Sequence, residues 1–220
     1  MLIDDIVQTD LVTVEPRAPL THVLHVLNHK GVRHVPVVER GRLVGIISDR
    51  DIKSALTLSL GPAGPDSCRS AGQIMTREPI TIAPMFPVEE AARIMVANRI
   101  SALPVVDGGR LVGIVTETDL LRLLSRAMGA LEPSSRLDIV MPAAASGVDD
   151  VIRTIEATGA SISSVMTWAA PAGGQSIIVI RLATIDPGPA IRALEANGYS
   201  VRDSRRGQPP AVRAELRASA

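Results

Sequence analysis

The chain carries the sequence PVVERGRLVGIISDRD at residues 36–51 and PVVDGGRLVGIVTETD at residues 104–119, an offset of 68 residues without a gap. The same offset pairs Thr13 with Thr81 upstream of these stretches. A repeat that keeps its register over this length indicates that a whole supersecondary unit was duplicated. Two copies of one unit predict a pseudo-symmetric binding module rather than a single catalytic pocket.

The composition excludes several classes of protein. The formal net charge of the 220-residue chain is zero, so we predict no basic surface for nucleic acid or for an anionic membrane. No apolar run approaches the roughly 20 residues that span a bilayer, and the acidic N-terminus lacks an apolar stretch of signal-peptide length. The single cysteine, Cys68, excludes a disulfide framework. We therefore expect a soluble cytoplasmic protein.

Each repeat shows the same predicted order of elements. A short extended segment precedes two prolines and a helix with a one-sided apolar stripe. A strand, a tight turn at 39–41 or 107–109 and a second strand follow as a hairpin. A final helix begins at Ser48 or Thr116. Each repeat is therefore predicted to be a β-α-β-β-α unit.

The C-terminal part follows a different pattern. Its predicted elements are strands at 137–140, 161–168, 176–182 and 199–202 and helices at 148–158 and 187–197. The order β-α-β-β-α-β is the ferredoxin-like arrangement, so the predicted fold class is α+β. The predicted boundaries are 1–60 for the first repeat, 61–73 for a linker, 74–128 for the second repeat, 129–136 for a linker, 137–203 for a C-terminal domain and 204–220 for a flexible tail.

Each repeat places an acidic residue three positions after a hydroxyl residue at a helix start, as Ser48-x-x-Asp51 and Thr116-x-x-Asp119. One interpretation is a capping box, in which hydroxyl and carboxylate satisfy backbone N–H groups of the helix. The other is a ligand site, since a helix N-terminus attracts phosphate and a carboxylate there can bind a ribose diol, as in dinucleotide folds. Both use the same geometry, and the duplication favours the ligand site.

The double motif resembles a tandem CBS (cystathionine-beta-synthase-type) repeat, also called a Bateman module, over about residues 1–128. The residues that carry the resemblance are 35–38, 41–51 and their partners at 103–104 and 109–119. Modules of this family bind adenosine compounds (AMP, ADP, ATP or S-adenosylmethionine) in two clefts between the repeats. The resemblance thus implies an adenine-nucleotide ligand and no required cofactor.

The resemblance also assigns roles within the clefts. Asp51 and Asp119 are implied to hold ribose hydroxyls, and Ser48 and Thr116 to contact ribose or phosphate. The other implied contacts are backbone groups near Thr13 and Thr81 at the adenine edge and walls formed by Val35, Pro36, Leu103 and Pro104.

Charged residues near the motifs predict that the two clefts differ. The first repeat has Arg33, His34 and Arg50 around its motif, whereas the second repeat has Arg99 nearby. A cationic rim binds phosphates through charge-assisted hydrogen bonds. We therefore count these four residues among the nucleotide-binding candidates and predict that the clefts prefer different numbers of phosphates.

Two groups of residues are candidate metal ligands. Asp49 and Glu117, beside the motifs, could support Mg²⁺ together with a nucleotide. His22, His25 and His29 share one face of the first helix at spacings that can bind a metal, but no carboxylate or cysteine completes the set. We therefore predict no protein metal site and assign the histidines to a polar helix face.

The C-terminal part resembles an ACT domain over roughly residues 137–203. The resemblance rests on the element order, on Gly147 before the first helix, on residues 157–162 and on Leu194-x-x-x-Gly198-Tyr199-x-Val201. ACT domains pair through their sheets and often bind an amino acid near the first strand-helix loop, here 142–147. This loop lacks the charged residue often found before the glycine, so we expect dimerisation. The order of a CBS pair and then an ACT domain resembles the acetoin-utilisation family of regulators.

We therefore expect a non-enzymatic regulatory protein without catalytic residues. It would bind an adenine nucleotide, form a homodimer or higher homo-oligomer and act on an unknown protein target. One alternative is an amino-acid or other small-molecule sensor that works through the ACT domain, with the CBS pair as scaffold. Another is an enzyme or its accessory subunit. No helix-turn-helix segment or basic face supports a DNA-binding regulator.

Overall fold

The computed structural model describes residues 1–58, 70–141, 147–168 and 176–203. The chain divides into two structural units, Met1–Leu123 and Leu124–Ala220. The predicted tail at 204–220, most of the predicted linker at 61–73 and Cys68 lie outside the described residues. The same is true of 142–146, which form most of the loop that the ACT resemblance associates with ligand binding.

The first unit contains two copies of a helix, a hairpin and a second helix. The first copy consists of α1 (Leu20–Lys30), β1 (His34–Glu39), β2 (Arg42–Ser48) and α2 (Asp49–Leu58). Then come α3 (Ala71–Ile74) and β3 (Thr76–Arg77). The second copy consists of α4 (Val88–Asn98), β4 (Ala102–Asp107), β5 (Arg110–Thr116) and α5 (Glu117–Ala127). The boundary between the two units falls within α5.

Both predicted hairpins are confirmed. Strand β1 pairs antiparallel with β2, and β4 pairs antiparallel with β5 in the equivalent register. The turns place two consecutive residues in the left-handed region, with φ of 50° at Arg40, 78° at Gly41, 53° at Gly108 and 79° at Gly109. Two-residue turns of this kind match the twist of the strands that they join.

The apolar stripes predicted for the first helix of each repeat are also confirmed. The buried members are Leu20, Val23 and Leu27 in α1 and Val88, Ala91 and Met95 in α4. Helix α1 is followed by Gly31, whose φ of 63° is the left-handed conformation typical of the residue that caps a helix C-terminus. The equivalent residue after α4 is Arg99, which takes the same conformation with a φ of 54°.

The first segment of each repeat packs on the other repeat. Ile3 is fully buried in the core of the second repeat, and Ala71 is fully buried in the core of the first. The N–H of Ile3 donates to the carbonyl of Phe86 at 2.9 Å, and the N–H of Ala71 donates to the carbonyl of Ala18 at 2.8 Å. The two hydrogen bonds are related by the repeat offset. We call residues 3–8 and 71–77 the exchanged segments.

The exchange corrects two details of the sequence analysis. Residues 71–73, which were assigned to a linker, belong to α3, and β3 then pairs with β2 of the first repeat. The short extended segments predicted ahead of the prolines, which correspond to 11–14 and 80–82, are reduced to single parallel bridges, Val14 to Val37 and Ile82 to Val105. They stay short because the prolines that follow each one turn the chain into the next helix.

The second unit has the predicted order β-α-β-β-α-β. Its elements are β6 (Ser135–Val140), α6 (Val148–Glu156), β7 (Ile162–Trp168), β8 (Ile177–Leu182), α7 (Gly188–Ala196) and β9 (Ser200–Asp203). The strands form an antiparallel sheet in the order β7-β8-β6-β9. Val151 and Ile155 of α6 and Leu194 of α7 cover one face of it. Among the described residues, no helix is both long and apolar enough to cross a bilayer.

Candidate functional site

Two of the cavities in the first unit contain residues of the duplicated motif, and their volumes are about 470 Å³ and about 310 Å³. Both are of the size that small-molecule ligands occupy in proteins. The first combines residues 48–51 of the first repeat with Thr76, 78–80 and 98–102 of the second. The second combines Thr116, Thr118 and Asp119 of the second repeat with residues of 8–12 and 31–36 of the first. Each cavity therefore draws its walls from both repeats.

The mouth of the first cavity is a capping box at the start of α2. The Oγ of Ser48 donates to Oδ2 of Asp51 at 2.7 Å, and the N–H of Ser48 donates to the same oxygen at 2.8 Å. In return, the N–H of Asp51 donates to Oγ of Ser48 at 3.2 Å. The capping interpretation of the motif is thus confirmed, and the other carboxylate oxygen, Oδ1, has no protein partner among the described residues.

The mouth of the second cavity repeats this geometry with one addition. The Oγ1 and N–H of Thr116 donate to Oδ2 of Asp119 at 2.6 and 2.9 Å. Arg122 Nη1 also donates to Oδ1 of Asp119 at 3.3 Å. The Asp119 side chain is only 6% exposed. Both oxygens of Asp119 therefore have protein donors.

The backbone N–H groups at these helix starts are largely satisfied. The N–H of Asp49 donates to the carbonyl of Arg33 at 3.0 Å, and the N–H of Glu117 donates to the carbonyl of Ser101 at 3.1 Å. The N–H groups of Ser48 and Asp51 are bonded within the capping box. A phosphate would therefore meet cationic side chains at the cavity rim, rather than the free helix N–H groups that the sequence hypothesis assumed.

Arg33 and His34 line both cavities. Arg33 Nη2 donates to Oγ1 of Thr118 at 3.2 Å, and the His34 Nε2 lies 2.9 Å from Oγ of Ser101. Both contacts cross from the first repeat to the second. These two side chains are therefore shared between the sites, and the repeat offset places Ser101 and Ala102 at the equivalent positions.

The environment of His34 keeps its ring neutral to lower pH than usual. Burial lowers the pKa of His34 first, and the neighbouring Arg33 guanidinium lowers it further. The carboxylates that oppose this shift are those of Asp49, Asp51 and Glu117. An uncharged ring can share a hydrogen bond with Ser101, and the phosphate of a bound ligand would favour its protonated form.

We expect His34 to make the first unit lose stability in mild acid. Its pKa is lower in the folded than in the unfolded chain, so its stabilising contribution is complete above about pH 6.5. That contribution declines as the pH falls from there through the folded-state pKa. Thermal unfolding between about pH 7.5 and 5 should therefore show a steeper loss of Tm for wild type than for His34→Gln. Parallel curves for the two proteins would contradict this assignment.

The described residues contain no group of three His, Cys, Asp or Glu side chains placed to hold a metal ion. His25 and His29 stack with ring centroids 5.7 Å apart, and both are exposed on α1. Asp49 accepts a hydrogen bond from Lys53 Nζ at 3.0 Å, which holds the pKa of Asp49 below its usual range. A carboxylate paired in this way is less available to Mg²⁺ than a free one.

The sequence model of the CBS domain family matches this chain twice, at residues 3–58 and 71–126, and the two matches make up half of the chain. A CBS domain-containing protein of Dictyostelium discoideum is 34% identical over 143 residues, covering 61% of this chain and 99% of that protein. The chain belongs to the CBS-domain family. The predicted tandem CBS pair is therefore confirmed.

The relatives of this CBS pair include a much longer enzyme. An inosine-5'-monophosphate dehydrogenase of Methanocaldococcus jannaschii is 29% identical over 177 residues, which are 80% of this chain but 33% of the enzyme. The chain thus spans about a third of the length of that relative. Proteins that consist of CBS domains alone are generally regulatory, whereas others carry the domains as modules of an enzyme.

Solved CBS pairs share the fold of the first unit. The CBS pair of protein MJ0100, in complex with 5'-methylthioadenosine and S-adenosyl-L-methionine, has a TM-score of 0.51 and 34% identity and covers 57% of this chain and 96% of that chain. A putative acetoin utilization protein of Vibrio cholerae has a TM-score of 0.50 and 28% identity, covering 56% of this chain and 90% of that chain. Adenosine compounds are thus ligands of a structural neighbour.

The CBS pair brings many of the predicted site residues together. Those that line the first cavity are Arg33, His34, Ser48, Arg50, Asp51 and Arg99. Those that line the second are Arg33, His34, Pro36, Thr116 and Asp119. Thr13, Thr81 and Pro104 line neither cavity.

Two predicted wall residues are placed differently. Val35 and Leu103 are fully buried in the cores of the first and second repeats. Side chains alternate along a strand, so His34 and Pro36 reach the second cavity while Val35, between them, faces the core. Val35 and Leu103 therefore support the site through packing and do not line it.

Several lining residues were not predicted from the sequence. Leu11 and Val12 line the second cavity, and Pro79 and Ile80, at the same offset, line the first. They lie one or two positions before the threonines that were predicted to meet an adenine. Arg122 also lines the second cavity and was not among the predicted site residues. The 68-residue offset relates Leu11 and Val12 to Pro79 and Ile80, so these four residues could have been found as equivalent pairs. No arginine stands at the position equivalent to Arg122 in the first repeat.

Proposed function

We propose that this chain is a non-enzymatic regulatory protein whose CBS pair binds adenosine ligands (AMP, ADP, ATP or S-adenosylmethionine) in its two cavities. One observation carries the proposal: each cavity joins a carboxylate fixed at a helix start of one repeat to an apolar segment of the other. The adenosine compounds bound to the CBS pair of MJ0100 support the same ligand class.

The proposed ligand pose follows from the chemistry of the walls. A ribose diol donates two hydrogen bonds, which suits Oδ1 of Asp51 because the capping box already holds Oδ2. The adenine ring would lie against Pro79 and Ile80 in the first cavity, or against Leu11 and Val12 in the second. A phosphate would meet the guanidinium groups at the rim.

The two cavities offer different numbers of guanidinium groups to a phosphate. Three arginines line the first cavity, Arg33, Arg50 and Arg99, and two line the second, Arg33 and Arg122. In the second, Arg122 is already paired with Asp119. We propose that the first cavity favours the ligand with more phosphates, and that any Mg²⁺ enters together with that ligand.

The regulatory mechanism that we propose is a shift of an existing equilibrium. A ligand that touches both repeats stabilises the arrangement of the pair that it fits best, and it changes the population by its differential affinity. The second unit would be the ACT domain that pairs subunits, since its antiparallel sheet and element order match that resemblance. Homodimerisation, a protein target and a cytoplasmic location are parts of the same proposal.

Calorimetric titration of the whole chain tests the function. We expect saturable heats for at least one of AMP, ADP, ATP and S-adenosylmethionine, with up to two ligands bound per chain. Guanosine monophosphate is the control for the base. A thermal shift with amino acids, in the absence of any response to adenosine compounds, would favour the alternative sensor that works through the second unit.

A further inference from the structure

The carboxylates at the two cavity mouths differ in one contact. Asp119 Oδ1 accepts a hydrogen bond from Arg122 Nη1 at 3.3 Å, one helical turn along α5. The residue equivalent to Arg122 in the first repeat is Ser54, which is exposed and too short to reach Asp51. Among the described residues, Oδ1 of Asp51 therefore has no donor, whereas Oδ1 of Asp119 has one.

The position of Arg122 makes this contact relevant to a ligand. Arg122 lines the second cavity, and its side chain is 66% exposed while that of Asp119 is 6% exposed. The exposed guanidinium thus contacts a nearly buried carboxylate at the wall of the same cavity. A diol that binds Asp119 must share its oxygen with this cation or displace it, and either event weakens a charge-assisted hydrogen bond.

We propose that Arg122 is an affinity-determining residue that makes the second cavity the weaker of the two adenosine sites. The proposal rests on the proposed function, since it concerns the same ligand class. Arg122 stays hydrogen-bonded to Oδ1 of Asp119 until a ribose hydroxyl displaces the guanidinium. The first cavity, with Ser54 in place of the arginine, binds ribose without this competition.

The opposite role for Arg122 is that of a phosphate ligand. An arginine at a cavity rim can bind a phosphate in bidentate fashion. Removal of Arg122 would then weaken the binding of AMP but not of 5'-methylthioadenosine, which has no phosphate. The two roles predict changes of opposite sign for AMP, so AMP and 5'-methylthioadenosine together distinguish them.

Each cavity can be measured alone in the full chain. Asp51→Asn removes the free carboxylate of the first cavity and leaves the second, and Asp119→Asn does the reverse. In the Asp51→Asn background, we expect Arg122→Ser to tighten the binding of both compounds to the second cavity by about three- to tenfold. In the Asp119→Asn background, Ser54→Arg should weaken the first cavity by a similar factor.

The outcomes separate this inference from the proposed function. If wild type binds these compounds and Arg122→Ser leaves the affinity of the second cavity unchanged or lowers it, the inference is wrong and the function stands. If wild type binds neither compound but binds ADP, ATP or S-adenosylmethionine, the inference is wrong and the function stands. If wild type binds none of these five compounds, both are wrong. Unfolding temperatures establish that each variant is folded, and if Ser54→Arg is not, Arg122→Ser decides alone.

Discussion

The double variant Asp51→Asn, Asp119→Asn is expected to weaken the binding of AMP by about 10- to 100-fold at each cavity, because hydrogen bonds to a charged group contribute about 1.5–3 kcal/mol. Asparagine keeps an oxygen that can accept from the Ser48 or Thr116 N–H, so the capping box is largely preserved. The negative charge that the ribose diol would meet is lost. Calorimetric titration of AMP into wild type and the double variant measures the change.

Asparagine is a sharper test than alanine for this site. Alanine would also remove the carboxylate that caps the helix, at a cost of about 0.5–2 kcal/mol in stability. Lost binding would then be hard to separate from a frayed helix. Asp107→Asn is the matched control, since Asp107 is exposed and lines neither of these two cavities. Equal affinities of wild type and the double variant would remove the ribose assignment.

The second large effect is expected from valine at either of two equivalent glycines, Gly45 and Gly113. A β-carbon on Gly45 would lie 2.5 Å from Sδ of Met75 and 2.9 Å from the carbonyl oxygen of Thr76. A β-carbon on Gly113 would overlap the side chain of Val7 and lie 3.1 Å from the carbonyl oxygen of Gln8. In both cases the obstacle includes the backbone of an exchanged segment, which a rotamer change cannot move.

Each valine variant should be destabilised by about 2–3 kcal/mol, the usual effect of overpacking. Tm should then fall by roughly 5–10 °C in a chain of this size. Hydrogen exchange should become faster in residues 71–77 for Gly45→Val and in 3–8 for Gly113→Val. Gly147→Ala is the control, because among the described residues, its chain neighbours and the backbone of its own helix aside, no atom lies within 4 Å of its β-carbon position. Unchanged exchange in the segments would show that they do not pack as described.

Local features made the repeat units predictable. The apolar stripes of α1 and α4 follow the helical period, and the turns at Arg40 and Gly108 carry the residues that a tight hairpin needs. The capping box of Ser48 and Asp51 spans only three positions, so its geometry is set by neighbours in the chain. The C-terminal element order was predictable for the same reason, since its strands and helices each show a clear period.

Half of each candidate site was predictable in the same way. Asp51 and Asp119 stand at the cavity mouths as the duplicated motif indicated. On the opposite wall, the resemblance implied contacts near Thr13 and Thr81, but the residues that line the cavities are their neighbours Val12 and Ile80. The sequence also did not indicate the hydrogen bond from Arg122 to Asp119. An exposed arginine three positions after an acidic residue on a helix can adopt many other side-chain conformations in solvent.

The amino-acid sequence by itself thus determined the duplicated units, their hairpins, their capped helices and the acidic residues at the helix starts. Only the tertiary structure decided that Ile3 completes the core of the second repeat and Ala71 that of the first. The two repeats present nearly the same apolar faces. The apolar pattern of the sequence therefore predicts that Ile3 and Ala71 are buried, but it does not show which repeat buries each of them. That choice depends on contacts between residues far apart in the chain, such as the bond from Ile3 to Phe86. The same choice places residues of both repeats around each cavity.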